Sequence, residues 1–209
     1  MPFTLHPLLP PDIPRATEIY FTAFQNPHSL ACWPRNAPPV RTWWETMIRT
    51  ELHEPGSQWL KAVSDDGMGG MVGFCKWRRF GEGEEVETGL PEWPRGADGR
   101  LCQETFGDWA GKHGGLMGGR GHWYLEMLAT DPKYQGQGTG SQLMRWGLER
   151  ADQEGFEAYL EASPDAVRLY EHFGFREVAR TDTWIENERV TPGTMYRNLF
   201  MIRPSKGAS

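Results

Sequence analysis

The sequence predicts a mixed α/β sheet flanked by helices, and three observations support this fold class. Two apolar runs, 59–63 and 71–77, surround a turn that contains Asp66-Gly67, which is typical of an antiparallel hairpin. Later in the chain, apolar runs and a helical pattern alternate across residues 123–162, as in a strand–helix–strand unit. The length of 209 residues fits one domain with a sizeable core.

The first half of the chain supplies an edge strand and two helices ahead of the hairpin. Residues 3–8 form a short strand that prolines end. Asp12 then caps a helix over residues 12–25, because apolar side chains recur there at helical spacing. Residues 26–38 contain several prolines and asparagines without periodicity, so we predict a loop. A second helix is predicted over residues 39–52, with a proline at its start.

Residues 81–121 differ in composition from the rest of the chain. They contain 12 of the 25 glycines and a surplus of acidic side chains. A structureless stretch of this length is uncommon inside a compact domain and usually has a function of its own. We therefore predict a glycine-rich insertion or loop within a single domain over residues 1–209, with room for a short helix over residues 101–109.

The last 88 residues have the most regular pattern. The predicted elements, in order, are a strand at 123–129, a glycine-rich turn at 135–140, a helix at 141–154, a strand at 157–162, a short helix at 165–173 that Gly174 ends, and strands at 175–179 and 194–202. With the edge strand and the hairpin, these elements make a sheet of seven strands.

Charge and composition exclude several function classes. The net charge of −6 argues against nucleic acid as the main partner and permits a cationic substrate. No apolar run approaches the roughly 20 residues that span a bilayer, and the start of the chain lacks the pattern of a signal peptide. Three widely spaced cysteines without a Cys-x-x-Cys motif predict free thiols in a reducing compartment. We expect a cytoplasmic protein without membrane, nucleic-acid or metal partners.

The glycine-rich turn, residues 135–140, lies between a predicted strand and a predicted helix. Its three glycines lack Cβ atoms, so backbone N–H groups can face outward together at the positive end of the helix. This arrangement suits a phosphate or pyrophosphate, although the same turn could simply join strand to helix. A Walker P-loop is absent, and a dinucleotide-binding turn is a weak match because Ser141 stands where the third glycine belongs.

Three segments carry a more specific signal. The turn at 135–140 fits the pattern [QR]-x-x-G-x-[GA], and residues 128–134 before it are similar to a strand that ends in V-x-P-x-Y/F. Residues 163–175 fit N-x-x-A-x-x-x-Y-x-x-x-G-F, with Ser163 in place of the asparagine. In this order and at this spacing, the segments resemble the GNAT superfamily of acetyl-CoA-dependent N-acetyltransferases, over about residues 123–178.

The resemblance implies a GNAT-like fold, a single mixed and mostly antiparallel sheet of about seven strands flanked by helices, with acetyl-CoA as co-substrate. It implies that the strand before the turn pairs with pantetheine and that the turn holds the pyrophosphate. Ser163 offers fewer hydrogen bonds than the asparagine of the pattern. The implied cofactor-binding residues are Met127, Leu128, Ala129, Thr130, Gln135, Gly136, Gln137, Gly138, Thr139, Gly140, Ser141, Ser163 and Tyr170.

The resemblance also implies direct attack by an amine through a tetrahedral intermediate, which needs a base and an acid. Tyr124 and Glu126 are two residues apart on a strand and therefore share a face. Glu126 acts through a water or holds a cationic substrate. Tyr170 stands where similar enzymes aim a tyrosine at the CoA sulfur, and is the implied acid. His122 and Glu161 are further candidates.

The sequence defines the acceptor less well than any other part of the predicted reaction. It would contact residues 26–58 and 81–121, which hold several tryptophans that could stack on an aromatic or cationic amine. A small-molecule primary amine is the preferred acceptor, and a protein N-terminus or lysine is the alternative. A non-catalytic domain that binds or senses acetyl-CoA also remains open, as does the choice between monomer and homodimer.

Overall fold

The computed structural model describes residues 3–65 and 70–206, which form one seven-stranded sheet with helices on both faces. The strands are β1 Phe3–Pro7, β2 Ser57–Ser64, β3 Met71–Phe80, β4 His122–Thr130, β5 Glu157–Ala162, β6 Arg176–Ile185 and β7 Thr194–Arg203. The helices are α1 Ile13–Ala23, α2 Pro27–Cys32, α3 Pro38–Glu51, α4 Gly99–Met117, α5 Thr139–Glu154 and α6 Val167–His172. The predicted fold class is confirmed. The Asp66-Gly67 turn lies outside the described residues.

The strand order is β1-β2-β3-β4-β5-β7-β6, and every neighbouring pair is antiparallel except β4 and β5. The parallel pairing of β4 with β5 covers only residues 122–125 against 157–160. Beyond Leu125, β4 continues to Thr130 and pairs with β3 alone. The two central strands therefore diverge at their carboxyl ends, which leaves an opening in the middle of the sheet.

Two hydrophobic cores lie on opposite faces of the sheet. One is formed with α1, α2, α3 and α4, and includes the buried side chains of Ile19, Trp33 and Trp44. The other is formed with α5 and α6, and includes Trp77 and Leu143. Within the described part of the chain, no helix is both long enough and apolar enough to cross a membrane.

Helix α2 lies in a segment predicted to be a loop, and helix α4 extends beyond the short helix predicted over residues 101–109. The loop prediction for residues 26–38 is wrong over α2, because Asn26 accepts a hydrogen bond from the Ser29 backbone and caps the helix. Residues 101–109 belong to a helix of 19 residues, α4, which Asp98 caps by accepting from the Leu101 backbone at 3.0 Å. Burial of one face of α4 against the sheet outweighs the low helix propensity of its glycines.

Helix α5 approaches β3 closely at Gly147. A Cβ atom there would lie 2.2 Å from Cε2 of Trp77, whose side chain is fully buried. We expect Gly147→Ala to lower the free energy of unfolding by about 1–3 kcal/mol in urea titration, because the core must shift to admit a methyl group. The control is Gly111→Ala in α4, where no heavy atom lies within 4 Å and alanine should stabilise the helix. Equal effects of the two substitutions would contradict close packing at Gly147.

Candidate active site

A cleft of about 640 Å³ opens where β4 and β5 diverge, between the glycine-rich turn and the end of α1. The turn enters it from one side, and Phe24 and Asn26 close it from the other. Ten of the residues predicted to bind the cofactor line this cleft: Leu128, Ala129, Thr130, Gln135, Gly136, Gly138, Gly140, Ser141, Ser163 and Tyr170. The structure therefore brings most of the predicted set together around one opening.

Three of the predicted cofactor residues do not line the cleft. Met127 lies on the walls of two neighbouring cavities instead. The Gln137 side chain is exposed, and its amide donates a hydrogen bond to the Lys133 carbonyl at 2.9 Å. Thr139 is buried, and its hydroxyl has no hydrogen-bond partner among the described residues. Gln137 and Thr139 can thus contribute backbone groups, while their side chains shape the turn.

The glycine-rich turn has the backbone geometry of an anion site. Gly136 and Gly138 have φ angles of 73° and 95°, a region that residues with a Cβ atom rarely adopt. Gly138 is the N-cap of α5, a helix of 16 residues whose first N–H groups have no partner within the helix. Open space surrounds the position of a Cβ atom at both glycines. The exposed N–H groups and the helix dipole suit a pyrophosphate.

A β-bulge in β4 places Glu126 at the opening of the sheet. Leu125 pairs with Trp77 and Met127 pairs with Lys76, so Glu126 is the extra residue between two consecutive partners. Tyr124, Glu126 and Met127 consequently line the same cavity. The two-residue spacing predicts that the side chains of Tyr124 and Glu126 share a face of the strand, and in the structure both line this cavity.

Two further cavities continue from the cleft across the sheet. The middle cavity, of about 180 Å³, shares Leu128, Ser163 and Tyr170 with the cleft. The aromatic cavity, of about 340 Å³, shares Glu126, Glu161 and several rings with the middle cavity. The middle cavity therefore links the cleft to the aromatic cavity, with Tyr170 on the cleft side and Glu126 and Glu161 on the other.

Lys76 connects Glu126 to a carboxylate on α3. Its ammonium, almost fully buried, lies 2.7 Å from Glu126 Oε2 and 2.8 Å from Glu51 Oε2. Burial alone would lower the pKa of Lys76, but the two carboxylates outweigh burial and raise this pKa above its ordinary value. Burial raises the pKa of Glu51 to about 7, because one ammonium cannot compensate two buried carboxylates. The ion pair with Lys76 thus holds the carboxyl group of Glu126 beside the opening.

Glu161 faces the same opening from β5 and has no cationic partner among the described residues. Its two oxygens accept hydrogen bonds from the hydroxyls of Tyr124 at 2.5 Å and Tyr159 at 3.0 Å. Burial raises the pKa of Glu161 to about 7, although the two hydroxyls act in the opposite direction. Burial and the neighbouring carboxylate also hold the pKa of Tyr124 well above its ordinary value. Glu161 can consequently exchange a proton near neutral pH through Tyr124.

His122 does not reach the opening of the sheet. It is buried, and its Nδ1 lies 2.7 Å from the Arg120 carbonyl, while its Nε2 lies 2.9 Å from Nε2 of His113. Because a carbonyl only accepts, Nδ1 of His122 carries the proton and its Nε2 accepts from His113. Burial lowers the pKa of both rings, that of His113 to about 3. The neutral pair is part of the wall behind Tyr124.

The aromatic cavity lies between α3, α4 and the segment 86–93. The rings of Trp33 and Trp43 stack with their centroids 5.4 Å apart, and Trp93 completes the cluster at 5.9 Å from each. The Trp43 indole donates to the Glu92 carbonyl at 3.0 Å, which ties the segment to α3. In the described ranges, no group of three His, Cys, Asp or Glu side chains is arranged to hold a metal ion.

The sequence model of the Acetyltransferase (GNAT) family matches residues 13–175. The chain belongs to the GNAT family. The match covers more than three quarters of the chain, including both helical faces and the strands that form the opening. The resemblance inferred from the turn and its flanking segments is confirmed.

Similar proteins support the family assignment. An uncharacterized N-acetyltransferase of Schizosaccharomyces pombe is 24% identical over 200 residues, which cover 84% of this chain and 82% of that protein. A structure of histone acetyltransferase HPA2 and related acetyltransferase from Corynebacterium glutamicum has a TM-score of 0.64 at 24% identity, with 100% of both chains covered. Arabidopsis thaliana NAA60, solved with a bisubstrate analogue, has a TM-score of 0.60 at 15% identity, with 99% of this chain and 100% of that chain covered. Both structures share the fold of this GNAT protein.

Sequence reasoning missed the partners that surround the glutamates. Glu51, Lys76, Arg78 and His113 were not predicted as site residues, and all four lie in or against the aromatic cavity. One signal was available for Lys76, because a lysine within the apolar run of β3 requires a buried anion as partner. No local pattern identifies Glu51, which reaches Lys76 from another helix.

Proposed function

We propose that this GNAT protein transfers the acetyl group of acetyl-CoA to the primary amine of a small molecule by direct attack, without an acyl-enzyme. One observation carries this proposal: the cleft at the glycine-rich turn adjoins, through the middle cavity, a cavity walled by carboxylates and aromatic rings. A thioester in the cleft and an amine in the aromatic cavity would meet in the middle cavity, where Tyr170, Glu126 and Glu161 form the walls.

The shape of the aromatic cavity favours a small acceptor over a protein chain. The segment 86–93 lies across the cavity and contributes Val86, Leu90, Pro91 and Trp93 to its lining. Helix α4 closes another side with Phe106 and Trp109. A peptide would need a groove that continues past its first residues, whereas this cavity has a volume of about 340 Å³.

The two carboxylates, Glu126 and Glu161, have different roles toward the amine. Glu126, paired with Lys76, attracts and orients the ammonium form of the acceptor. Removal of a proton yields the neutral amine that attacks, and Tyr124 passes this proton to Glu161 through their 2.5 Å hydrogen bond. Beyond Leu125, the β4 backbone has no partner on β5, so it is free to hydrogen-bond the pantetheine arm and polarise the thioester carbonyl.

Tyr170 supplies the proton for the departing thiolate. Its side chain lines both the cleft and the middle cavity, and its hydroxyl has no hydrogen-bond partner among the described residues. Burial raises the pKa of this phenol, so it remains protonated and can donate at any physiological pH. We expect Tyr170→Phe to lower kcat about tenfold with CoA affinity unchanged, because a thiolate of ordinary pKa near 8.5 leaves even with incomplete protonation. Unchanged turnover across the pH range would contradict this role.

The test of the proposed function is a thiol-release assay with acetyl-CoA against amines, amino acids, aminoglycosides, peptides with free N-termini and lysine peptides. Release with small amines, together with the acetylated product in mass spectrometry, supports the proposal. Release with peptides alone would assign a protein N-terminus or lysine as the acceptor. Tight CoA binding without release for any acceptor would favour a domain that senses acetyl-CoA.

A further inference from the structure

The wall of the aromatic cavity includes an arginine. Arg78 lies on its wall, and in the described part of the chain its guanidinium forms neither a hydrogen bond nor an ion pair. Its contact is with the ring of Phe80, over which the guanidinium lies at 4.9 Å from the centroid. Lys76, the other cation close to this cavity, is paired with two carboxylates. Arg78 is thus available to a ligand.

Three buried N–H donors of the residues around this cavity lack an acceptor in the part of the chain that the structure describes. Nε of Arg78 and the indole nitrogens of Trp44 and Trp109 are buried, and none has an acceptor among the described residues. A buried donor without an acceptor costs roughly 1–3 kcal/mol, so such groups are rare unless they have a use. Because Nε of Arg78 is one of them, the described residues leave the Arg78 guanidinium without an acceptor of its own.

The cation and the carboxylates occupy different parts of the cavity. Arg78 on β3 pairs in register with Tyr124 on β4. Tyr124 precedes the bulged residue Glu126, so Arg78 lies nearer to the start of β4 than Glu126 does. Glu161 is beside Tyr124 on the far side, on β5. An acceptor whose amine lies between Glu126 and Glu161 would therefore extend the rest of its structure toward Arg78 and the tryptophans.

We infer that the acceptor is a zwitterion: a primary amine that also carries a carboxylate, on an apolar or aromatic body, as in an amino acid. This inference rests on the proposed function and specifies its substrate class. Arg78 holds the carboxylate, since a guanidinium matches it with two parallel hydrogen bonds. Glu126 and Glu161 hold the amine, and the cluster of Trp33, Trp43 and Trp93 packs against the body.

The experiment compares acceptors that differ only in the carboxylate. The pairs are phenylalanine with phenethylamine and leucine with 3-methylbutylamine, and phenylalanine methyl ester serves as a probe that keeps the oxygens but loses the charge. kcat/KM is measured for wild type, Arg78→Gln, Arg78→Lys and the control Arg79→Gln. Arg79 is the next residue on β3, and it pairs with Glu154 at 2.6 Å away from the cavity. Melting temperatures verify that every variant is folded.

The decisive quantity is the ratio of kcat/KM for the amino acid to that for its decarboxylated amine. We expect Arg78→Gln to lower this ratio by about 10- to 100-fold, Arg78→Lys to lower it less, and Arg79→Gln to leave it unchanged. If amines are acetylated but this ratio is the same in wild type and Arg78→Gln, the inference that the acceptor is a zwitterion is wrong, and the proposed function stands.

A binding measurement distinguishes a wrong substrate class from a lack of acetyl transfer. Calorimetry of phenylalanine and leucine with the CoA-loaded protein needs no turnover. If the amino acids bind and Arg78→Gln weakens this binding at least tenfold, the inference is supported even if no acetyl transfer is found. If the amino acids neither bind nor react, the inference is wrong.

Discussion

Replacing Gly138 with glutamate should abolish the binding of CoA. The φ angle of 95° at Gly138 belongs to a region that strains any residue with a Cβ atom, and Gly138 is the N-cap of α5. No heavy atom lies within 4 Å of the Cβ position, so the new side chain would extend into the cleft instead of disturbing the core. Its carboxylate would then occupy the helix N-terminus and repel the pyrophosphate. We expect the Kd for CoA in calorimetry to rise at least about 100-fold.

Gly155→Glu is the matched control for this substitution. Gly155 ends the same helix, has a φ angle of 70° and is also surrounded by open space. Strain from a positive φ is therefore similar at the two positions, but only Gly138 lines the cleft. Gly138→Ala adds the strain without the charge and should weaken binding less. Equal CoA affinity in wild type and Gly138→Glu would exclude the cleft as the cofactor site.

The glycine-rich turn of the candidate cofactor cleft could be predicted from the sequence because its geometry is local. Positive φ angles at Gly136 and Gly138 are requirements of single residues, and glycine is the residue that satisfies them. The apolar run before the turn indicates a strand, and the helix after it has apolar residues at helical spacing. The cleft also depends on the divergence of β4 and β5, which no residue pattern predicts.

The aromatic cavity could not be predicted because tertiary contacts determine it. Helix α4 contains four glycines between residues 107 and 115, so its propensity is low, and burial against the sheet stabilises it. The bulge that turns Glu126 and Met127 to one face is set by pairing with β3, across about 50 residues of sequence. The partnership of Glu51 with Lys76 and of Tyr124 with Glu161 likewise joins distant segments.

Glutamine at position 161 should lower kcat/KM for acetyl transfer at least about 100-fold, which is the contribution typical of a positioned base. The amide oxygen of glutamine can accept from one of the two tyrosine hydroxyls, but glutamine cannot take up the proton that Tyr124 relays. In the wild type, Glu161 must be ionised, and its pKa is about 7, so kcat/KM should rise as the pH increases through 7. In Glu161→Gln this rise in kcat/KM should disappear, and the remaining pH dependence should come only from the titration of the amine acceptor.

Two further variants establish that Glu161 is the source of this pH dependence. Glu51 also has a pKa of about 7, but it contacts Lys76 and not Tyr124, so Glu51→Gln should keep the rise near pH 7. Glu157→Gln is the control on the same strand, since Glu157 pairs with Arg120 at the other end of β5. If the rise near pH 7 persists in Glu161→Gln, Glu161 is not the base.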